Sequence, residues 1–478
     1  MNSQGIKGPS YKFLHGNTKQ VFNMTRNCLR SPMKLTNCIF PRVQPHLHLW
    51  TKTYGLNFLI WHGSIPQLSL NQPDLIKEVL NNGNELLYPK PEPYPYLKKL
   101  LGDGLATIRG GKKWSKKRKL VNHAFHGENL KNMMPKMVSC IENMLQRWEH
   151  LDGKEIEVLE EFRVLTSDVI SKTAFGSNYI EGREIFGMLT KLMSIMAANT
   201  NKIKLPIIGK FVKSSDEREA DKLALKIRES FVEIIRRRQE QIPNGELTGY
   251  GSDFLGLLVD ANRDSDEDKR ISVDDIIDEC KTFYTAGHET TMVLLTWTMF
   301  LLAIHSDWQE KARKEVFAIF GEKPPNVEEN SIAKLKTMTM IVNESLRLYP
   351  PVLVLRRITD HQVRLKDILL PPNMEIQISP LLCHSDPQFW GEDVHLFKPD
   401  RFMEGVANAA KTTNVYLPFG IGPRMCVGMN FATIEAKLAL SMILKRYSFT
   451  LSPSYVHSPI QHVTTRPQHG VQIILHAL

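Results

Sequence analysis

Apolar residues recur at helical spacing over most of this chain, and the strongest run lies at 272–304. That run predicts one helix of about 32 residues, a rod of roughly 48 Å at 1.5 Å per residue. Ser272 followed by Asp275 supplies an S-x-x-D start signal. A second helical pattern covers 430–447 (NFATIEAKLALSMILKRY). Elsewhere the period shortens. Residues 45–72 alternate apolar and polar positions, with 56–60 (LNFLI) reading as strand. Helical patterns follow from position 73, and strand-like pieces return at 358–370, 375–379 and 461–475. Helices set apart from small sheets predict an α-rich α+β fold. The apolar segment 292–304 (MVLLTWTMFLLAI) is too short to span a bilayer, and no run of 18 or more apolar residues occurs.

A chain of 478 residues with 42% hydrophobic content can bury a large core. No Gly/Ser-rich or Pro-rich linker divides it, so it reads as a single catalytic domain over 1–478. The stretches 241–253 and 262–270 read as surface loops. The six cysteines are scattered without a CxxC pair, which fits a reducing compartment and excludes an obvious zinc site. The one N-x-T sequon, at Asn23, goes unused on a cytosol-facing chain. Net charge is +10 and the pI is near 9.1. The basic clusters are local: Lys112, Lys113, Lys116, Lys117, Arg118 and Lys119 form one, Arg236 to Arg238 another. No nucleic-acid-binding module accompanies them, so the charge points away from nucleic acid and toward an acidic redox partner or anionic lipid. Lys117 and Lys119 are the first docking candidates.

The chemistry concentrates at 419–428, FGIGPRMCVG. Phe419, Gly422, Arg424, Cys426 and Gly428 form the pattern F-x-x-G-x-R-x-C-x-G. Cys426 is placed at the start of the 430–447 helix, where free N–H groups and the positive dipole end favour a thiolate. This is what a haem-iron ligand requires. Gly422 and Gly428 would let the backbone approach a flat macrocycle, and Arg424 could meet a carboxylate at its edge. A lone buried cysteine is usually structural. Five fixed positions change that, since such a match arises by chance in about one chain in ten thousand at roughly 5% usage per residue type.

The pattern resembles that of the haem-thiolate monooxygenases, the cytochromes P-450. The resemblance runs in order from Trp114 to Gly428. It is closest to a plant microsomal clan that hydroxylates gibberellins, brassinosteroids, terpenoids and fatty acids, through QGIKGPSYKFLHGN near the start and SPIQHVTTRPQHGVQIIL near the end. It implies a helix-rich prism fold with haem b between two long helices and Cys426 as the metal ligand. In AGHETT at 286–291 it implies Thr290 as a proton-relaying hydroxyl and Glu289 as its acid. Gly287 would make room for dioxygen. The alternative for this segment is a helix kink with the threonine bonded to a carbonyl. His288 reads as a packing or surface residue.

The resemblance further implies that Trp114 and Arg118 bind a haem propionate, with Arg357 as second partner and Arg356 as the near-equal alternative. Glu344, Arg347 and Arg401 form a buried structural triad. Substrate walls are expected at 88–105, 203–211, 283–286, 352–355 and 463–465, apolar or mixed, which suits a hydrophobic substrate. The chain carries no nucleotide-binding glycine fingerprint, so electrons are expected from an NADPH-dependent flavoprotein reductase, with O2 as co-substrate. The clan sits on the cytosolic face of the endoplasmic reticulum membrane. This chain begins inside the region that normally follows the anchor, so a soluble or peripheral form is expected. The rival activities are a reductase-independent haem-thiolate isomerase or dehydratase acting on peroxides, and a non-catalytic haem-binding protein.

Overall fold

Pro45–Tyr54 is a helix, although the alternation over 45–72 predicts extended backbone. Proline at the first helical position presets φ and lacks only an N–H that has no partner there. Leu47 and Trp50, three apart, then bury on one side. Gly55, at φ 89°, ends the helix. Strands β1 (Asn57–His62) and β2 (Ile65–Leu70) follow as an antiparallel pair. The computed structural model describes residues 1–83, 86–176, 179–199, 213–240, 250–251, 253–267, 269–321 and 331–478. The predicted wall at 203–211 and most of the loop at 241–253 lie outside these.

Five helices carry the site: α1 (Gly111–Ala124), α2 (Val158–Ala174), α3 (Val273–Ile304), α4 (Lys336–Leu348) and α5 (Met429–Arg446). Strands β3 (Leu355–Ile358) and β4 (Glu375–Ile378) complete a mixed sheet ordered β1–β2–β4–β3, with β2 and β4 parallel. A three-stranded sheet joins Glu155–Glu157, Gln472–Ala477 and Tyr447–Leu451. The fold is helix-rich with small sheets. No described helix is long and apolar enough to cross a membrane.

Helix α3 spans 32 residues, as its pattern predicts. Ser272 and Asp275 close a capping box: the Asp275 N–H donates to Ser272 Oγ at 3.1 Å, and the Ser272 N–H donates to Asp275 Oδ2 at 3.2 Å. The helix packs on α2, α4 and α5. Its C-terminal half is core. Trp297 is buried, stacks 4.2 Å from Tyr349, and donates its Nε1–H to the Thr465 carbonyl at 2.7 Å. Truncating such a ring costs about 3–5 kcal/mol. Near mid-helix the burial breaks. Ala286 is exposed, and Gly287 and Thr290 are half-buried, because this face opens on a cavity.

Helix α4 carries Glu344 and Arg347, both without exposed side-chain surface. The Arg347 guanidinium donates to both Glu344 oxygens at 2.7 Å and to the carbonyls of His384 and Val394. Arg401 lies 3.5 Å from Glu344 Oε1 and pairs more closely, at 2.7 Å, with Asp393. The Lys398 N–H also donates to Glu344 Oε1, at 3.0 Å.

Candidate active site

The cysteine loop is shaped before it is functional. Gly422–Arg424 forms a 3-10 turn. The Cys426 N–H closes the loop on the Phe419 carbonyl at 2.9 Å. Gly420 and Gly422 hold φ of 68° and 75°, where side-chain-bearing residues strain. A Cβ on Gly422 would meet the Leu80 carbonyl oxygen at 2.2 Å, so the end of the helix Pro73–Leu80 also requires a glycine there. Gly428 is the N-cap of α5, and a Cβ there would find only Cys426 Sγ, at 4.0 Å. Gly420 and Gly428 are glycines that line the cavity.

Cys426 therefore stands two residues ahead of that cap. Its side chain is exposed, but to the cavity rather than to bulk water. Burial pushes its thiol up, and the Gly428 N–H and the Arg118 charge act against that. Cys140, Cys280 and Cys383 are buried in packed protein instead, and burial pushes all three thiols up.

The cavity beside Cys426 encloses about 310 Å³. Ala286, Gly287 and Thr290 of α3 form one wall and the cysteine loop the other. Gly287 also bears on packing: a Cβ on it would come 2.9 Å from Ile170 Cδ1, where α2 approaches α3.

Trp114 and Arg118, one turn apart on α1, both line the cavity. The Trp114 ring is buried, and its Nε1–H has no hydrogen-bond partner. Arg424 lies 4.2 Å over that ring and donates to the carbonyls of Ile108 and Arg109. Arg118 donates to the Met425 carbonyl at 2.6 Å. Lys90, which the sequence reading placed only in a substrate wall, lines the same cavity and donates to the Ala106 carbonyl at 2.5 Å. Burial, then the charges of Arg357 and Arg424, lowers its pKa to about 7. Arg357 is buried on β3 and lines the adjoining cavity with Phe419 and Arg424. None of the described residues lining the 310 Å³ cavity is acidic. Such a wall, with an orphaned indole N–H, suits a ligand that brings its own carboxylates.

Thr290 Oγ1 donates to the Ala286 carbonyl at 2.8 Å, the carbonyl-bonded arrangement. Glu289 is buried and anchored. It accepts from Arg466 Nε and from Thr464 Oγ1, each at 2.6 Å, and from a second guanidinium nitrogen. Burial raises its pKa, but Arg466 and Thr464 outweigh that and hold it below the usual carboxylate value. His288 is a packing residue: its Nδ1 lies 2.8 Å from Thr166 Oγ1, and burial lowers its pKa to about 4.

The docking candidate Lys117 is corrected. Its ammonium is buried between Asp275 (3.0 Å), Glu279 (3.1 Å) and the Asp103 carbonyl (2.9 Å), which ties α1 to α3. Lys119 is exposed. Arg236, Arg237 and Arg238 are ion-paired, with Glu233 or Asp253.

The family profile described as Cytochrome P450 matches residues 40–475. The chain belongs to the cytochrome P450 family. Cytochrome P450 CYP749A22 of Panax ginseng is 52% identical, covering 99% of this chain and 90% of that one. Secologanin synthase 1 of Catharanthus roseus is 39% identical, covering 99% and 91%. The structure of retinoic acid bound cyanobacterial CYP120A1 superimposes with a TM-score of 0.80 over 99% of this chain and all of that one. At 20% identity that likeness speaks to the P450 fold. P450 enzymes of this plant group are monooxygenases that carry haem b on a cysteine thiolate and use a reductase, O2 and a small-molecule substrate.

Proposed function

We propose that this P450 hydroxylates a hydrophobic small molecule of the terpenoid class, with Cys426 as the haem ligand and one catalytic unit spanning 1–478. The observation that carries the reading is the acid-free slot with a cavity-facing thiol on one wall and Thr290 on the other. The relative named a secologanin synthase supports the terpenoid class. When bound, haem supplies the activation of dioxygen and the insertion of one oxygen atom into a C–H bond.

This chain's residues then divide the work. Trp114, Arg118, Arg357 and Arg424 would hold the propionates, joined by Lys90. Phe283, Leu294, Val352 and Leu355 line the cavity and keep it apolar. The Thr290 hydroxyl, released from the Ala286 carbonyl, would hold a proton facing the slot. Glu289 can carry a proton only when its pair with Arg466 opens, so here it serves first to fasten α3 to the antiparallel strand pair Pro459–Gln461 and Thr465–Pro467. Electrons come from a flavoprotein reductase, at a membrane surface as in the clan.

Cys426→Ser tests this. The variant should lose the red-shifted carbon-monoxide band of the reduced thiolate haem, and Cys140→Ser should keep it. A band retained without Cys426 refutes the ligand. Thr290→Ala should still bind haem and substrate, yet convert more of its NADPH to peroxide and less to product. An unchanged product yield per NADPH would remove the proton role.

A further inference from the structure

Two cavities adjoin the slot. One, of about 360 Å³, touches Ala286 and Thr290 on α3 and reaches Arg356 on β3. The other, of about 450 Å³, shares Lys90, Val354, Arg356 and Val463 with it and extends along Tyr94 and Tyr96. Arg356 thus stands where the space above Thr290 passes into an outer chamber. Neighbouring side chains on a strand leave opposite faces. Arg357 opposes Ile376 across the ladder and Arg356 opposes Gln377, so the two arginines serve different places.

Arg356 is half-buried, and its guanidinium rests 4.7 Å over the Tyr94 ring. The carboxylates nearby are otherwise engaged, and Glu289, which lines the same 360 Å³ cavity, is held by Arg466 and Thr464. Glu375, on the same face of the sheet, accepts from Gln67 at 2.7 Å. Glu92 in the chamber wall is 3.8 Å from Arg109, which also contacts Asp360. No described carboxylate lies within ion-pair distance of Arg356. His62 and His462 line the chamber, and burial lowers the pKa of each, so both offer neutral donors. The Nδ1 of His462 is buried without a partner. A planar cation with no described carboxylate in ion-pair range, shared by the two cavities that adjoin the slot and backed there by Lys90, suits one carboxylate.

We propose that Arg356 is a substrate-recognition residue, and that the substrate is an amphipathic carboxylic acid whose apolar body lies beside Ala286, Thr290, Val352 and Val463 in the adjoining 360 Å³ cavity while its carboxylate meets Arg356. This deepens the monooxygenase reading and rests on it.

The test uses the haem-loaded protein and probes that bind through the iron: imidazolyl alkanoic acids of graded chain length, each beside its methyl ester. The imidazole gives a spectral shift on binding whatever the tail does. At the chain length that spans from iron to Arg356, the acid should bind about tenfold more tightly than its ester. Arg356→Ala should abolish that difference and leave the ester's affinity and the haem content unchanged. Arg356→Lys should keep part of it. Acid and ester binding alike at every length overturns the proposal while the haem-thiolate reading stands. Loss of haem from Arg356→Ala also overturns it, because the residue would then serve a propionate. Absence of a thiolate haem spectrum in the unaltered protein would instead fail the reading on which the proposal rests.

Discussion

Two groups of cations in this molecule, one buried and one half-buried, are built on opposite principles. Around Arg347 every demand is met inside the protein: both Glu344 oxygens, the carbonyls of His384 and Val394, and the Trp390 ring 5.1 Å away. Around Trp114 the cations of Lys90, Arg118 and Arg424 line a cavity wall that holds no acid, and an indole N–H is left over. The first group is closed and serves the fold. The second lines a cavity, and in the proposed reading it faces a cofactor's carboxylates. Burial of charge is therefore not itself a mark of a site. The proposed mark is a cluster of cations on a cavity wall where no described lining residue is acidic.

The comparison breaks most visibly at Glu344. Glu344→Ala leaves Arg347 buried without its carboxylate and Arg401 without one of two acidic neighbours. The expected cost is about 3–5 kcal/mol. It should appear as a large fall in the melting temperature of the haem-free and haem-loaded forms alike, with little folded protein recovered. A stable, active variant would show that the closed network is dispensable. Trp114→Phe should behave in the opposite way. It removes an N–H that no protein group accepts, so the haem-free protein should lose no more than the packing of a smaller ring. Retention of haem should weaken by about 0.5–1.5 kcal/mol, the worth of a hydrogen bond. Transfer of haem to an apoprotein acceptor measures it. Equal losses in both forms would mean that the indole N–H makes no bond to the cofactor.

How much of this was legible depends on how far each signal travels along the chain. The long helix was readable because its cap and period are local, and Ser272 bonds Asp275 as the spacing implies. The cysteine turn was readable for the same reason. The protein neighbours that crowd Gly287 and Gly422 were not, since they are Ile170 in one case and the Leu80 carbonyl in the other. Neither neighbour is close in sequence. Lys117 looked like a surface charge because its run is basic throughout, and only the packing of α1 on α3 sets it between Asp275 and Glu279. Arg466 lies 177 residues from Glu289 and carries no periodic signal, so its grip on the acid could not be anticipated. Lys90 is a single lysine between prolines, with the same difficulty.

Lys90 gives the smallest and most discriminating test. Its pKa falls from 10.5 to about 7 because burial, then Arg357 and Arg424, disfavours the ammonium. In the unfolded chain the lysine keeps its ordinary value and binds its proton more readily. Below about pH 7 both states are protonated and the penalty of charging Lys90 is borne in full. Between that value and the ordinary lysine value the unfolded state holds more protons, so stability from this group rises with pH. The haem-free protein should therefore gain stability across that window, and Lys90→Met should flatten the rise. Propionates seated beside Lys90 would restore the ammonium, so the haem-loaded protein should show less of this pH dependence, and haem binding above neutrality should take up a proton. Calorimetry in buffers of different ionisation enthalpy reads that proton directly. Identical pH slopes in the two forms, or no proton uptake, would place Lys90 outside the group of residues proposed to meet the cofactor's carboxylates.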